Sequence, residues 1–564
     1  MVVTRIRKLI LLSTRSYSLT LTPDAQPANS PEPRAPSLGF VGLGLRAGVV
    51  MLLLPGMAVA QTQKIAVTSM HVEGNTLLPE PALSRMASGF AGTERTMAEL
   101  NAVAARVQDA YRDAGYGGVV AYIPPQETTD GKIVVRVVEG RLAHVSVKGN
   151  TYFDTANVRA GLPHLREGTT PPVRAIDRDI QSSNDNPAKN VRVTLMAGAK
   201  PGDIDADVAV TDSNPLQYIV GYNNTGTSAT GTQRLSVGIQ HANLFGRDQV
   251  GTIQYQTSPQ HPQRVRIYSL GYRVPLYAHA ASVDAFFAHS TVNNGTTATT
   301  AGPLSFTGKG TVAGVRLNRN LDRLGEYDHH VTLGVDSRRY DDDCTIGDFG
   351  SRGCGSAAVD VTTVPLTLAY VGQKQGPMLA YGISAALSAN AGGSSGATFE
   401  AARPGAKRHY VVSRFVGFLE KGLPAGFTVN ARLELQYSPH ALITGEKYGL
   451  GGVGSVRAYT ERELAGDSGY LLRFEAAPAA FELTETYRLR PYLFLDHGRV
   501  TNHRDMPCRG QDESRCALTS LGVGARLSLG KAVNAGVDVG RAASHGVTTR
   551  SGEVRGHFAL NLVL

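Results

Sequence analysis

Hydrophobic and polar residues alternate along several segments in the last two thirds of the chain. The segment FTVNARLELQY (427–437) has an apolar residue at every odd position and polar residues between them. The final segment VRGHFALNLVL (554–564) alternates in a similar way, and shorter runs occur at 331–335 and 521–529. A period of two predicts β-strands that carry one apolar face.

The first part of the chain follows another pattern, in which helices lie between strands. From 64 to 141, the strand KIAVTSMHVEGN precedes two helices and a hairpin around Asp130-Gly131. The apolar residues of the second helix share one face: Met97, Leu100, Val103, Val107 and Tyr111. The order partly recurs from 142 to 212, and Gly-Asn closes the first strand of both segments, at 74–75 and 149–150. The sequence therefore predicts two repeated α+β (βααββ) domains of about 75 residues.

The region from 213 to 564 is predicted to be a transmembrane β-barrel, although a soluble sandwich would alternate too. It contains about 16 candidate antiparallel strands, and many of them reach the nine or more residues of a tilted spanning strand. About 22 residues per strand and connection is typical of a barrel with short turns and longer loops. The chain has no Trp, so 22 Tyr and 16 Phe must supply the aromatic girdles.

Residues 1–60 are predicted to be a signal or targeting region. A short apolar core, AGVVMLLLPGM (47–57), follows Arg46, and Ala58-Val59-Ala60 has the small-x-small pattern of a cleavage site. The preceding segment is long and rich in Pro, so either the start codon is misassigned or the signal is extended. This pattern indicates export to an oxidising compartment.

The four cysteines form two close pairs, Cys344 with Cys354 and Cys508 with Cys516, in polar segments. Neither pair has CxxC spacing and no His flanks them at ligand spacing, which favours two loop disulfides over a zinc site. The run of Asp at 341–343 is typical of a solvated loop rather than of a calcium site. No metal site is therefore predicted.

Several other function classes are disfavoured. The net charge is +9, but Lys and Arg are scattered without a basic tract interleaved with aromatic residues, which argues against nucleic-acid binding. Gly466-Asp467-Ser468-Gly469 matches the nucleophile segment of serine proteases, but nothing around it suggests a placed His or an oxyanion hole. No Walker-type motif is present. Neither enzymatic activity nor a cofactor is expected.

Several motifs resemble those of the two-partner-secretion transporters, also called the haemolysin secretion/activation family. Two βααββ units before a barrel resemble POTRA (polypeptide-transport-associated) domains. GLGGVGSVRAYTERELAGDSGYLLRFE (449–475) is similar to the family's sixth surface loop and following strand, and PYLFLDHGRV (491–500) is similar to its Phe-x-Asp-x-Gly strand. NLFGRDQ (243–249) and GYRVPL (271–276) resemble early barrel turns, and the run from Asn186-Pro187 to Gly202-Asp203 also fits. The resemblance covers about 64–564.

The resemblance implies that the loop folds back into the lumen, where its Arg meets the Asp of the strand on the inner wall. The matching residues are Val456, Arg457, Ala458 and Tyr459 on the loop, and Phe494, Asp496 and Gly498 on the strand. The three strand residues share one parity. Because a carboxylate that faces lipid is unfavourable, their side of the strand is expected to line the lumen.

Three features depart from the family pattern. The usual Gly of the loop motif is Ala458, so either this position does not need a positive φ or the alanine is strained. The last residue is Leu564 rather than an aromatic residue. Cleavage after Ala60 leaves only about three residues before the first domain, so no plug helix is expected there.

The resemblance implies a bacterial outer-membrane transporter with its POTRA domains in the periplasm. These domains would bind an extended partner of adhesin, haemolysin or toxin type, which would then cross the barrel without nucleotide hydrolysis. Outer-membrane lipid and the barrel-assembly machinery are further expected partners. The alternatives are an assembly or insertion factor of the same superfamily, which usually carries three or five POTRA domains, and a passive porin, which carries none.

Overall fold

The computed structural model describes residues 64–128, 130–228, 230–292, 295–306, 309–341, 359–484, 486–508, 515–530 and 532–564. The predicted signal region, the question of a plug helix and the pair Cys344 and Cys354 lie outside these ranges. Residues 64–114 and 119–139 form one unit, and residues 115–118 and 140–564 form another. No helix in the described ranges is both long and apolar enough to cross a bilayer.

The first α+β unit places two helices beside a three-stranded sheet. Its elements are β1 (Lys64–Val67), β2 (Ser69–Glu73), α1 (Glu80–Ser88), β3 (Thr93–Thr96), α2 (Met97–Asp113), β4 (Val119–Tyr122) and β5 (Lys132–Glu139). The sheet has the order β2–β5–β4, and β1 pairs separately with β3. The predicted face of α2 is buried at Leu100, Val103, Val107 and Tyr111. Met97, at the start of the same face, is the first helical residue and is exposed.

The second α+β unit repeats this order. Its elements are β6 (Arg141–Lys148), α3 (Thr155–Ala160), α4 (Val173–Asn184), β7 (Lys189–Ala197) and β8 (Asp203–Asp212). The sheet has the order β6–β8–β7, with β6 parallel and β7 antiparallel to β8. In both units, the parallel pair joins the strand before the first helix to the last strand, as the predicted repeat requires.

The two units also close the strand before their first helix in the same way. Gly74 and Gly149 adopt positive φ angles of 86° and 83°. A carboxylate at the end of the last strand, Glu139 or Asp212, then accepts hydrogen bonds of 2.7–3.0 Å from successive backbone N–H groups. Burial opposes ionisation of Glu139, but these hydrogen bonds outweigh it and lower the pKa of its carboxyl group. The Gly-Asn sequence repeat thus corresponds to one repeated turn.

After the second α+β unit, the chain forms a closed antiparallel barrel. In the described residues its long strands are β9 (Leu216–Asn223), β10 (Arg234–Leu244), β11 (Gln249–Thr257), β12 (Arg266–Leu276), β13 (Ala281–Ser290), β16 (Lys309–Asn320), β17 (Tyr327–Asp341), β18 (Val361–Lys374), β19 (Leu379–Gly393), β20 (Val411–Gly422), β21 (Thr428–Tyr437), β24 (Ser468–Ala477), β26 (Tyr487–Thr501), β27 (Arg515–Leu529), β28 (Val533–Ala542) and β29 (Val554–Val563). The last strand pairs with the first and closes the barrel. These sixteen strands confirm the predicted fold class.

Smaller elements lie in the connections. They are the hairpin strands β14 (Gly295–Thr299) and β15 (Gly302–Phe306), helix α5 (Gly396–Ala402), the short strands β22 (Tyr448–Leu450) and β23 (Leu464–Gly466), and β25 (Phe481–Glu482). Helix α5 lies within the region predicted to be a barrel, where the sequence shows no helical periodicity. The helix has only seven residues and starts at a local cap, Ser395, so it is too short to produce a helical period.

Alternation along the strands separates a lipid face from a lumenal face. Leu493 and Leu495 are exposed on the outside of β26, whereas Phe494 and Asp496, which alternate with them, are buried on the inside. Short turns join the strands at the end that carries the second α+β unit, and most of the longer loops lie at the other end. The outside can therefore contact hydrocarbon while charged groups remain in the lumen.

We expect Gly74→Ala to destabilise the first unit by at least about 1–2 kcal/mol, because an L-residue is strained at positive φ. The new Cβ would also lie 2.3 Å from the carbonyl oxygen of Val137. Gly89→Ala is the matched control, since its φ is −63° and no atom lies within 4 Å of the new Cβ. Hydrogen exchange of the first unit in the full chain should show faster opening for Gly74→Ala only. Equal exchange in both variants would contradict the assignment of strain to position 74.

Candidate functional site

A long loop, residues 438–467 between β21 and β24, enters the barrel. It is too long for a simple strand connection, and its two short strands β22 and β23 pair with each other. Gly451 and Gly452 have φ angles of 108° and 98°. A Cβ at Gly451 would lie 2.4 Å from the carbonyl oxygen of Thr460, so the two limbs of the loop approach each other closely at this glycine.

Arg457, at the inner part of this loop, forms a two-pronged ion pair with Asp496 on β26. Its Nε and Nη2 atoms each lie 2.7 Å from one oxygen of the Asp496 carboxylate, and its backbone N–H donates to the same group at 3.1 Å. Both side chains are fully buried. The planar guanidinium matches the carboxylate geometry, which an ammonium group could not do with two parallel bonds.

Two more carboxylates contact Arg457. Its Nη1 atom lies 2.9 Å from Glu475 on β24 and 3.3 Å from Asp538 on β28. Arg473 and Arg526 also belong to this cluster, since Arg526 pairs with Glu475 at 2.7 Å and Arg473 lies 3.5 Å from Asp496. Three guanidinium groups thus face three carboxylates, so the buried charges of this group balance. We call these six residues the lumenal charge cluster.

The other motif residues seat the loop around Arg457. Val456, Ala458 and Tyr459 are completely buried, and the Tyr459 hydroxyl lies 2.8 Å from the carbonyl oxygens of Thr519 and Ser544. Ala458 has a φ of 77°. Of the two alternatives considered for this position, the strained one is therefore correct, because an alanine occupies a conformation that favours glycine.

The strand motif supplies two surfaces to the loop. The ring of Phe494 lies under the Arg457 guanidinium, with 3.6 Å between the ring centre and Cζ. A Cβ at Gly498 would lie 2.7 Å from the side chain of Leu450 on the loop. Phe494 therefore stacks on the cation, and the lack of a side chain at Gly498 leaves room for the loop.

The loop has a second anchor, Glu446, on a different part of the wall. Glu446 is buried, and its carboxylate lies 3.0 Å from Arg338 and accepts the Tyr340 hydroxyl at 2.8 Å, both on β17. Arg414 on β20 approaches it to 3.5 Å. Strand β17 is the seventh and β28 the fifteenth of the sixteen long strands, so the loop contacts opposite sides of the barrel.

A third contact ties the loop to the connection between β28 and β29. Glu463 accepts hydrogen bonds from the backbone N–H groups of Thr548 and Thr549 at 2.8 and 2.7 Å, and from the Thr549 hydroxyl at 2.7 Å. Burial alone would raise the pKa of Glu463, but these bonds and those from Thr460 lower it to about 2. This contact therefore persists at any physiological pH.

The Gly466–Gly469 segment, where the long loop joins β24, helps to attach this loop to the barrel. Asp467 pairs with Arg403, which follows α5, and accepts the backbone N–H groups of Leu442 and His503 at 2.8 Å each. Ser468 accepts the backbone N–H of Ser438 at 3.0 Å. Asp467 is therefore engaged in holding three surface connections together. In the same region, Cys508 and Cys516 form a disulfide.

The motifs at the early turns meet the second α+β unit. Lys189 of β7 forms a fully buried ion pair with Asp248 of the NLFGRDQ segment, and Asp248 also accepts the Tyr277 hydroxyl at 2.6 Å. Asn186 donates to the carbonyl oxygen of Ala242 at 2.7 Å. Burial lowers the pKa of Lys189, and Asp248 offsets only part of this effect. These contacts fix the second α+β unit to the barrel.

Sequence reasoning missed Glu446 and four members of the lumenal charge cluster, which are Glu475, Asp538, Arg473 and Arg526. Strand parity carried a signal for these four, because each lies between apolar residues on a spanning strand and a charged side chain there is favoured on the lumenal side. Parity cannot reveal which lumenal charges meet, because that depends on the path of the loop. Glu446 lies in the loop itself and carries no local signal.

We expect Glu446→Ala to loosen the first limb of the long loop, because the loop would lose its ion pair with Arg338, which would keep only Asp336 on its own strand. Breaking a buried pair costs about 3–5 kcal/mol. This corresponds to an increase of roughly 100-fold or more in the amide exchange rate of residues 439–452. Glu482→Ala is the matched control, since Glu482 is exposed and lies 3.6 Å from Arg488. That change should stay within about 0.5 kcal/mol. Unchanged exchange in the Glu446 variant would rule out the second anchor.

Known proteins share both parts of this architecture. The family model described as "POTRA domain, ShlB-type" matches residues 65–140. The model described as "Haemolysin secretion/activation protein ShlB/FhaC/HecB" matches residues 202–346 and 379–527, which is more than half of the chain.

Individual relatives are distant in sequence. The heme/hemopexin transporter protein HuxB of Haemophilus influenzae is 22% identical over 468 residues, 79% of this chain and 78% of that protein. The outer membrane transporter CdiB of Dickeya dadantii is 25% identical over 172 residues, which span only 30% of each chain.

The solved structure of CdiB from Escherichia coli superimposes with a TM-score of 0.73 at 18% identity, covering 91% of this chain and 93% of that one. CdiB from Acinetobacter baumannii gives a TM-score of 0.67 at 16% identity, covering 90% and 91%. These matches show the same fold, a closed barrel preceded by α+β domains. The chain belongs to the haemolysin secretion/activation family of outer-membrane two-partner-secretion transporters.

Proposed function

We propose that this chain exports a partner protein, which its two α+β units bind in extended form in the periplasm and which crosses the barrel without nucleotide hydrolysis. The observation that carries the proposal is the long loop, which occupies the lumen through hydrogen bonds, ion pairs and packing. It contains no cysteine that could fix it covalently. A loop held in this way can leave its place when a chain enters the pore.

The sheets of the α+β units support the binding step. In the first unit, β2 and β4 are the outer strands of the sheet β2–β5–β4, and no further strand pairs with their outer edges in the described residues. Val120 and Tyr122 on β4 expose 52% and 39% of their surface. An extended peptide can add to such an edge through its backbone, with exposed side chains contributing selectivity.

The lumen supports the transport step. The lumenal charge cluster and Glu446 line a polar interior in which water or the polar groups of a passing chain can replace each lost hydrogen bond. Folding of the partner outside the cell then supplies the direction of movement. The relatives are named as transporters, which agrees with export rather than barrel assembly. We assign the partner to the adhesin, haemolysin or toxin class of large secreted proteins.

Removal of residues 64–139 should abolish secretion and leave a folded barrel. A deletion that extended to Asp212 would also remove Lys189, the ion-pair partner of Asp248 on the barrel, so the shorter deletion is the cleaner test. The readout is the amount of a co-expressed candidate partner, a large secreted protein, at the cell surface. Heat-modifiable gel mobility reports whether the barrel folds. Normal secretion by the shortened chain would exclude a binding role for the first unit.

Arg457→Ala should impair secretion more than Asp496→Ala does. The first change leaves three carboxylates without their shared cation, whereas the second leaves Arg457 in contact with Glu475 and Asp538. The double variant should resemble Arg457→Ala, since both changes remove the same contact. The measurement is a double-mutant cycle on the secretion rate at equal barrel levels.

The matched control for this cycle is the pair Arg323 and Asp328, which has the same two-pronged geometry but lies exposed at a turn. Changing either of these residues should have little effect on secretion, because exposed pairs contribute only about 0–1 kcal/mol. Additive effects of Arg457→Ala and Asp496→Ala would mean that their contact has no role in export.

A further inference from the structure

A hairpin in the connection between β13 and β16 folds against the inner wall of the barrel. Its strands β14 and β15 pair with each other, and the tip is formed by Thr300 and Ala301. The hairpin packs beside β11, β12 and β13, which are the third, fourth and fifth of the long strands. It is separate from the long loop, whose charge cluster involves the twelfth to fifteenth strands.

Polar contacts attach the hairpin to this wall. The hydroxyl groups of Ser269 and Thr297 lie 2.8 Å apart, and the Ser269 hydroxyl also donates to the carbonyl oxygen of Ala298 at 3.0 Å. The side-chain oxygen of Gln254 accepts the backbone N–H of Ala298 at 3.0 Å. Thr297 is 2% exposed, which shows that this side of the hairpin is sealed against the wall.

Two wall arginines hold the tip. Arg273 donates to the carbonyl oxygen of Thr300 at 3.1 Å while it pairs with Asp284, and Arg316 donates to that of Ala301 at 2.7 Å. Gly271 provides the space for the tip, because a Cβ there would lie 2.6 Å from the backbone nitrogen of Thr300. Leu270 beside it faces outward and is exposed, so Gly271 faces the lumen.

We propose that this hairpin is a second, movable constriction of the pore, which narrows the lumen when it is docked and widens it when it is released. Its described contacts with the wall are hydroxyl, amide, carbonyl and guanidinium groups rather than an apolar core. Water in the lumen can replace each of these hydrogen bonds when the hairpin leaves the wall. Release therefore costs little in a wet lumen. The inference depends on the barrel and not on the identity or export of a partner.

The test is the conductance of the full chain in planar bilayers with potassium chloride as the only permeant probe. The wild type should show a lower and a higher level, for the docked and released hairpin. Gly271→Leu, which removes the seat of Thr300, should lose the lower level. Gly536→Leu is the matched control, since Gly536 shares the lumenal parity of Asp538 and no atom lies within 4 Å of the new Cβ. It should keep both levels.

A disulfide that holds the hairpin in its docked position tests the same proposal. Ser269→Cys combined with Thr297→Cys replaces two oxygens that are 2.8 Å apart with sulfur atoms that can bond. The oxidised variant should show only the lower level, and reduction should restore the higher one. The wild type under the same reductant controls for Cys508 and Cys516. Wild-type conductance levels in both the Gly271 variant and the oxidised cross-linked variant would overturn the proposal.

Discussion

The buried guanidinium of Arg457 is the interaction on which the organisation of the lumen depends. A closed barrel of sixteen strands is too wide for wall side chains to fill, so the interior must be occupied by water or by segments of the chain itself. The long loop can remain inside only if its polar backbone and charged groups find partners there. Arg457 satisfies this requirement at one place, because it bridges Asp496, Glu475 and Asp538 on three strands.

Glycines on the wall determine where inserted segments can dock. Gly498 leaves room for Leu450 of the long loop, and Gly271 leaves room for the tip of the hairpin. At Gly540, a side chain would come within 3.2 Å of Ala458, the residue that carries the positive φ. Each seat is a site where the wall lacks a side chain and the inserted backbone approaches closely. The abundance of glycine thus reflects lumenal packing as well as turns.

Much of this fold could be predicted from the sequence because its signals are local. Alternation indicated the barrel, the repeated Gly-Asn turns indicated two related units, and two motifs pointed to Arg457 and Asp496. The rest depends on contacts between distant segments. Nothing near Glu446 or Thr300 in the sequence reveals that either lies against the barrel wall, and α5 is too short to give a helical period. Only the folded barrel brings these segments to their partners.

The choice of polar contacts inside and apolar contacts outside has an energetic consequence. Burying a large aliphatic side chain stabilises a protein by about 1.5–3 kcal/mol, and each lumenal hydrogen bond contributes less. A buried ion pair also loses much of its Coulomb energy to desolvation, so the net gain from Arg457 and Asp496 is modest. The long loop also buries apolar side chains, because Leu450, Val456 and Leu464 pack in one cluster with Leu471, Val500 and Leu518 of the wall. Water can replace the polar contacts when the loop moves, so this apolar cluster is the part of the packing that opposes release.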